Sequence, residues 1–368
     1  MPSRLAMLVD FDYFFAQCEE KRNPAIKDKP VVVGVYSGRS EDGGAVSTAN
    51  YIARRYGVKS GIPIFLAKKK LENVDAVFLP VDHKFYDEVS GRIMEILKGY
   101  ADSFEQVGVD EAYMDVNQRV KGDFGDARIL AIEIKKAVKV REGITCSIGI
   151  GPNKLVAKIA SDIQKPDGLT VVKPEEVESF LAPLPVDSLL GVGRKTFEKM
   201  QVLGIVTIGD LAKYDVERLV EVFGKRGGTY FHEAALGKDD TPVQEKGDVE
   251  SISRIATLKE DTQDLVRILE MTDTLCDAVY ARVAQRKVGF KSVGVMAVLV
   301  DMSVRSRAKT FEMPVNDLGT LKKTVKELFE KLLAECELKA RRVGVKVAGF
   351  AEAEGKQRSL ADFLGRDC

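Results

Sequence analysis

The sequence predicts an α+β chain of several domains, on three observations. Short apolar runs of strand type alternate with helical periodicity up to about residue 166, and a helical, glycine-punctuated stretch follows from about 174 to 236. A second alternating module then begins after a polar segment at 237–249.

The elements read in order. RLAMLV at 4–9 and VVVGV at 31–35 are strand-type runs, and Tyr13 to Lys21 between them reads as a helix. Residues 104–116 (FEQVGVDEAYMDV) read as a hairpin with an Asp-Glu pair at its centre, and ITCSIGI at 144–150 as a further strand. Helical stretches at 84–98, 126–140 and 153–163 alternate with these. GKDDTPVQEKGDV at 237–249 has no periodicity and reads as a linker. Strands at 252–258 and 292–301 then alternate with helices at 263–286 and 319–336 and close on a strand at 342–350, a β-α-β-β-α-β order. After Ala351 the composition is that of a tail.

With 368 residues, 45% of them hydrophobic, the chain can bury substantial cores. Cys18, Cys146, Cys276, Cys336 and Cys368 stand far apart without a CxxC pair, and His83 and His232 are the only histidines, so zinc-type spacing is absent and buried free thiols are expected. The opening MPSRLAMLVDFD is too short an apolar run for a signal peptide, and no run reaches membrane-spanning length; a cytoplasmic protein with no membrane partner is expected. Lys+Arg and Asp+Glu balance at 56 each, but residues 246–350 carry 19 basic against 15 acidic side chains, a modest local excess of the sign that suits nucleic acid.

The chemistry concentrates in a few carboxylates. Asp10 follows a buried strand and is expected to emerge at its end, while Asp110 and Glu111 sit mid-hairpin, where adjacent residues serve one site only if the backbone bends. Three carboxylates at two strand ends suit two magnesium ions, which are hard and prefer oxygen donors. The plainer alternative makes each a cap or turn residue. Asp12 is the better cap for the helix near Tyr13, which leaves Asp10 without a structural duty.

VDFDYFFAQCEE, GAVSTANYIARRYGVKSGIP, GVDEAYMD, CSIGIGPNKLVAKIASDIQKPDG and LLGVGRKTFEKM, in this order along nearly the whole chain, resemble the Y-family DNA polymerases, specifically the DinB or DNA polymerase IV branch in its archaeal form. The resemblance implies a right-hand polymerase: a palm from 1–13 and 80–166, fingers at 14–79, a helix-hairpin-helix thumb at 167–236, the linker, and a little finger at 250–350. It implies primer-template DNA and dNTP as partners, two Mg2+ ions, translesion synthesis at low fidelity without proofreading, and a monomer.

Carried over onto these positions, Asp10 and Asp110 resemble the metal-binding aspartates, Glu111 the catalytic glutamate and Phe11 a ligand through its carbonyl. Tyr13 and Phe14 would offer backbone donors to the triphosphate, Thr48, Tyr51, Arg54 and Lys165 match phosphate-contacting positions, and Phe15 matches the steric gate beneath the sugar. Tyr51 and Arg54 share a helix face, which a plain solvated surface would also explain. Lys165 precedes a proline and so stands at an element boundary. Gly191 and Gly193 would let backbone N–H groups approach a DNA phosphate, a simple turn being the rival. Arg305, Arg307 and Lys309 form a basic stripe at period two, with a charge-protected edge strand as its alternative. Gln357, Leu360, Phe363 and Leu364 in the 351–368 tail resemble a sliding-clamp-binding peptide. A palm-type nucleotidyl cyclase and a non-catalytic, clamp-tethered DNA-binding protein stay open beside this reading.

Overall fold

The computed structural model describes residues 5–245, 247 and 249–352. Of these, residues 5–35 and 45–245 form one compact unit and 36–44, 247 and 249–352 a second.

The first unit opens with β1 (Ala6–Phe11), α1 (Phe14–Arg22), β2 (Val31–Tyr36), β3 (Gly44–Ala49), α2 (Tyr51–Arg55), α3 (Ile64–Lys70) and β4 (Val77–Pro80). It continues with α4 (His83–Lys98), β5 (Ser103–Gln106), β6 (Glu111–Asp115), α5 (Phe124–Glu142), β7 (Cys146–Gly151), α6 (Lys154–Ile163) and β8 (Leu169–Val171). β1 is the centre of a five-stranded sheet, order β5-β6-β1-β7-β8, antiparallel to both neighbours, and all six of its residues are buried. Because side chains alternate, β1 serves two faces. Met7, Val9 and Phe11 join the core that contains Tyr86, Val89 and Ile93 of α4 and Ala127, Ala131 and Ile134 of α5, whereas Ala6 and Leu8 pack with Tyr113 and with Ala157 of α6. α6 reaches that second face because β7 carries Gly149 there: a Cβ would collide with the backbone of Ala157 and Ser161. A separate three-stranded sheet, order β3-β2-β4, shares a small core with α2 and α3.

Four helices follow, α7 (Val177–Leu181), α8 (Arg194–Val202), α9 (Ile208–Lys213) and α10 (Val216–Ala235), around a core they share with Leu155, Val156, Ile159 and Ala160 of α6. Gly224, at φ 77, kinks α10. Among the described residues up to 250 no helix or strand follows, and the first part of this segment is pinned to the start of α6 and to the sheet: Asn153 donates to the Gly237 carbonyl (2.7 Å), Asp239 accepts from the Leu155 N–H (3.1 Å), and Val243 packs beside Leu8 and Tyr113.

The second unit runs β9 (Ser251–Thr262), α11 (Leu265–Arg286), β10 (Val288–Leu299), β11 (Val304–Val315), α12 (Leu318–Ala334) and β12 (Ala340–Glu352), the β-α-β-β-α-β order expected. Its sheet, order β11-β10-β12-β9, is antiparallel throughout and shares one core with both helices. Mixed α+β architecture with a separate β-rich carboxyl-terminal domain is thus the observed class.

Two local expectations change. β1 runs two residues further than the apolar run suggested, so Asp10 lies inside the strand, paired with Glu111 on one side and Ser147 on the other, because the backbone ladder continues through it. Asp12 does not cap α1. Its carboxylate accepts from Ser147 Oγ (2.7 Å), Thr145 Oγ1 (2.9 Å) and the Asp167 N–H (2.9 Å), and the N-cap is Tyr13, in left-handed conformation without a side-chain cap. Cys18, Cys146 and Cys276 are buried free thiols, Cys336 is half-exposed, and Cys368 lies outside the described residues. Among the described residues no helix is long and apolar enough to cross a membrane.

Candidate active site

The antiparallel register sets Asp10 of β1 opposite Glu111 of β6. Asp110 stands in the bend just before β6, and its carbonyl accepts the Phe11 N–H at 2.8 Å, which ties the bend to the end of β1. The bend breaks the strand alternation that would otherwise send two sequential acids to opposite faces. The grouping is electrostatically costly: burial, then the negative charges of Asp10 and Glu111, raise the Asp110 pKa above the ordinary aspartate value.

Two lysines balance this charge. Lys158, on the sheet-facing side of α6, places its ammonium 3.0 Å from Asp10 Oδ2 and 2.7 Å from Glu111 Oε2, and Lys165, just past the end of α6, lies 2.7 Å from Asp10 Oδ1 and 2.8 Å from Asp162. Burial works against the charge on Lys158, but Asp10 and the hydrogen bond to Glu111 outweigh it and raise its pKa. One turn earlier on α6, Lys154 pairs with Glu105 of β5 at 2.6 Å. Lysines four apart therefore seat the helix on an acidic sheet face. Hard carboxylate oxygens set this near one another suit divalent cations such as magnesium. Their side chains do not converge as they stand: among the described residues no three His, Cys, Asp or Glu side chains meet closely enough to hold a metal.

The aromatic and basic candidates gather beside the carboxylates. The Tyr13 and Tyr51 rings meet edge to face at 5.3 Å, and the Arg54 guanidinium lies 4.7 Å over Tyr51 while its Nε donates to the Ala49 carbonyl (2.8 Å). Burial raises the Tyr51 pKa, with Arg54, Asp12, Lys165 and Asp10 all within electrostatic range, so this group adjoins the acids. Phe14 is buried against Phe11. Phe15 is half-buried and stacks on Tyr86 at 4.3 Å, with His83 at its edge. Thr48 is half-buried on β3.

The remaining candidates belong to other elements. A single 3-10 turn at Val186–Ser188, not a full helix, precedes the glycine turn. Gly191 adopts φ 88, which favours glycine, and Gly193 is the extended N-cap of α8, which has no side-chain cap. In the second unit β11 is an edge strand, with Arg305, Arg307 and Lys309 in register with the buried Ala297, Val295 and Val293. They therefore share the helix-bearing face, where Arg307 pairs with Glu335 and Lys309 with Glu327 (3.1 Å). Gln357, Leu360, Phe363 and Leu364 lie outside the described residues.

Models of the impB/mucB/samB family match residues 9–162 and, for its C-terminal domain, 249–360, and a DNA polymerase-iota thumb domain model matches 187–239. The DNA polymerase IV of Nitrosopumilus maritimus is 46% identical over 99% of this chain and 100% of its own length. The chain belongs to the Y-family DNA polymerases, DNA polymerase IV branch. A solved Y-family polymerase chimera of Dbh and Dpo4 is 36% identical, superposes with a TM-score of 0.88 and covers 94% of this chain and 98% of its own. An insertion ternary complex of Dbh DNA polymerase covers the same shares at a TM-score of 0.68 and 36% identity.

Within this Y-family site, sequence reasoning passed over Lys158 and misjudged Asp12. Lys158 carried a signal: it is the one charge in the run LVAKIAS, whose other members are all buried. A cation so placed needs an anion on the facing surface. Asp12 binds two hydroxyls of the β7 segment and the Asp167 N–H, and Gln17 donates to the carbonyls of Asp12 and Thr145 (3.0 Å), so Asp12 fixes the chain between β1 and α1. Its three partners stand more than a hundred positions away, and local sequence does not reveal them.

Proposed function

We propose that this DNA-directed DNA polymerase joins deoxynucleotides to a primer 3′ end at Asp10, Asp110 and Glu111, with these carboxylates and the Phe11 carbonyl holding two Mg2+ ions. Bound there, such ions would activate the 3′-hydroxyl and neutralise the phosphates and the leaving pyrophosphate. The observation that carries the reading is the β1–β6 register, which sets Asp10 against Glu111 while the Phe11–Asp110 backbone bond holds the third acid beside them.

The surrounding groups suit a triphosphate. α1 begins without a side-chain cap, so its first N–H groups at Tyr13 and Phe14 are free for an anion. Arg54, braced by Tyr51 and the Ala49 carbonyl, offers a fixed guanidinium, and Tyr51 and Lys165 adjoin it. Thr48 completes this set, and Phe15, backed by Tyr86, would close the pocket beneath the sugar as a steric gate. Residues 1–13 and 80–166 serve as palm, 14–79 as fingers, 167–236 as thumb and 250–350 as little finger. The uncapped start of α8 at Gly191 and Gly193 would meet a DNA phosphate through its N–H groups, and Arg305, Arg307 and Lys309 would meet the backbone of primer-template DNA. Low-fidelity translesion synthesis without proofreading, by a cytoplasmic monomer tethered to a sliding clamp by its tail, completes the reading.

Primer extension on an undamaged template, with and without magnesium, tests it. Extension that persists in a metal chelator would overturn the metal reading. Asp110→Ala should lower single-nucleotide incorporation by on the order of a thousandfold, about 4 kcal/mol of lost transition-state stabilisation, and leave primer-template affinity nearly unchanged. Substantial extension by the folded variant would remove Asp110 from the chemistry.

A further inference from the structure

Lys158 takes no part in the chemistry above, yet its position is specific. Its ammonium bridges Asp10 Oδ2 and Glu111 Oε2, and Lys165 occupies the other Asp10 oxygen, so both oxygens of Asp10 already face a cation. Among the described residues Asp110 alone of the three acids has no ion-pair partner. A divalent ion at ~2.1 Å from the same oxygens would lie close against the Lys158 ammonium, two like charges on one pair of carboxylates. Occupancy by one disfavours the other. Lys158 is held for this place by its helix, since Gly149 lets α6 sit against the sheet and Lys154 anchors the preceding turn on Glu105. A flexible four-carbon stem allows its head to withdraw without moving α6.

We propose that Lys158 is a resident counter-cation and positioning residue of the active site: it holds Asp10 and Glu111 together until a divalent ion enters through Asp110 and displaces it. This rests on the reading of the three acids as metal ligands. Linkage is reciprocal, so removing the ammonium strengthens metal binding by the factor with which metal weakens the ion pair.

The test measures Mn2+ binding to the full chain by the paramagnetic resonance of the free ion, without DNA or nucleotide. Lys158→Met should bind Mn2+ about tenfold more tightly than wild type, within the range usual for coupled sites. Lys158→Arg, which keeps the charge, should stay close to wild type. The melting temperature of Lys158→Met should fall in chelator and recover with Mn2+, whereas a lysine that only packs would lower it equally under both conditions. Unchanged or weaker Mn2+ affinity in folded Lys158→Met overturns the proposal. If that variant fails to fold in chelator, restoration of its fold by Mn2+ supports the role, and failure of saturating Mn2+ to restore it overturns the role. An Asp10→Asn, Asp110→Asn double variant separates the two readings. Wild-type Mn2+ affinity in that protein would overturn the metal assignment, whereas lost affinity there beside unchanged affinity in Lys158→Met would overturn only the part given to Lys158.

Discussion

Phe15 is held from behind. Its ring stacks on Tyr86, whose hydroxyl donates to Glu19 at 2.7 Å, so the gate position rests on a braced aromatic pair rather than on a loop. A 2′-hydroxyl approaching a ring that cannot retreat meets overlap, and discrimination by overlap needs no hydrogen bond. Phe15→Ala should therefore raise the ratio of rNTP to dNTP incorporation efficiency about a hundredfold or more, a clash of roughly 3 kcal/mol relieved. Because the ring is half-exposed, the stability loss should stay near 1–2 kcal/mol, below the 3–5 of a full core phenylalanine. An unchanged ratio with a large drop in melting temperature would return Phe15 to the core. At this scale the sequence placed Asp10 at the end of a strand and Asp110 and Glu111 at the centre of a hairpin, and the structure sets Asp10 opposite Glu111 with Asp110 in the bend before β6. The seat of Asp12 was not legible, since hydrogen bonds to Thr145, Ser147 and Asp167 depend on which strand lands beside β1.

Among the elements, α5 shows how helices on the far side of the sheet are locked. Its last residue, Glu142, accepts from Lys21 at the end of α1 (2.8 Å) and from Arg92 of α4 (2.9 and 3.0 Å), three helices joined at one carboxylate. Burial would raise its pKa, but the hydrogen bonds from Arg92 and Lys21 outweigh burial and hold it below the ordinary glutamate value. The sign follows: the ionised form is favoured in the folded state, so its stabilisation is present above the unfolded pKa near 4.3 and is lost as pH falls through the lower folded value. Glu142→Gln should cost about 2 kcal/mol at pH 7, and the gap should close below about pH 4, read from urea midpoints across pH 3 to 8. A gap that persists at pH 3 would assign the loss to packing. Long periodic helices such as α4 and α5 were legible to within about two residues, while α2 and α3, only 5 and 7 residues long, carry too few turns for periodicity to register.

For the whole molecule, the described residues fall into two compact units, and the tail from 353 lies outside the described residues. The second unit closes its own core from β9 to β12, and its β-α-β-β-α-β order was legible because its strands and helices are long enough for their periods to show. Deleting residues 356–368 should abolish stimulation by the cognate sliding clamp and spare basal extension; equal stimulation of the truncated chain would remove the clamp from the reading. The central position of β1 also bears on how this protein is made. β1 leaves the ribosome long before either strand that will flank it, and its ladder with β7 cannot close until residue 151 has been translated. At 5–20 residues per second that interval is on the order of ten seconds. Until β6 follows, the strand destined to be buried on every side is an unpaired apolar segment, and one of its edges stays open until β7 follows too, accessible to chaperones and to other nascent chains. Asp10 is the one charge within that strand, and a charge inside an apolar segment works against misassembly of this kind.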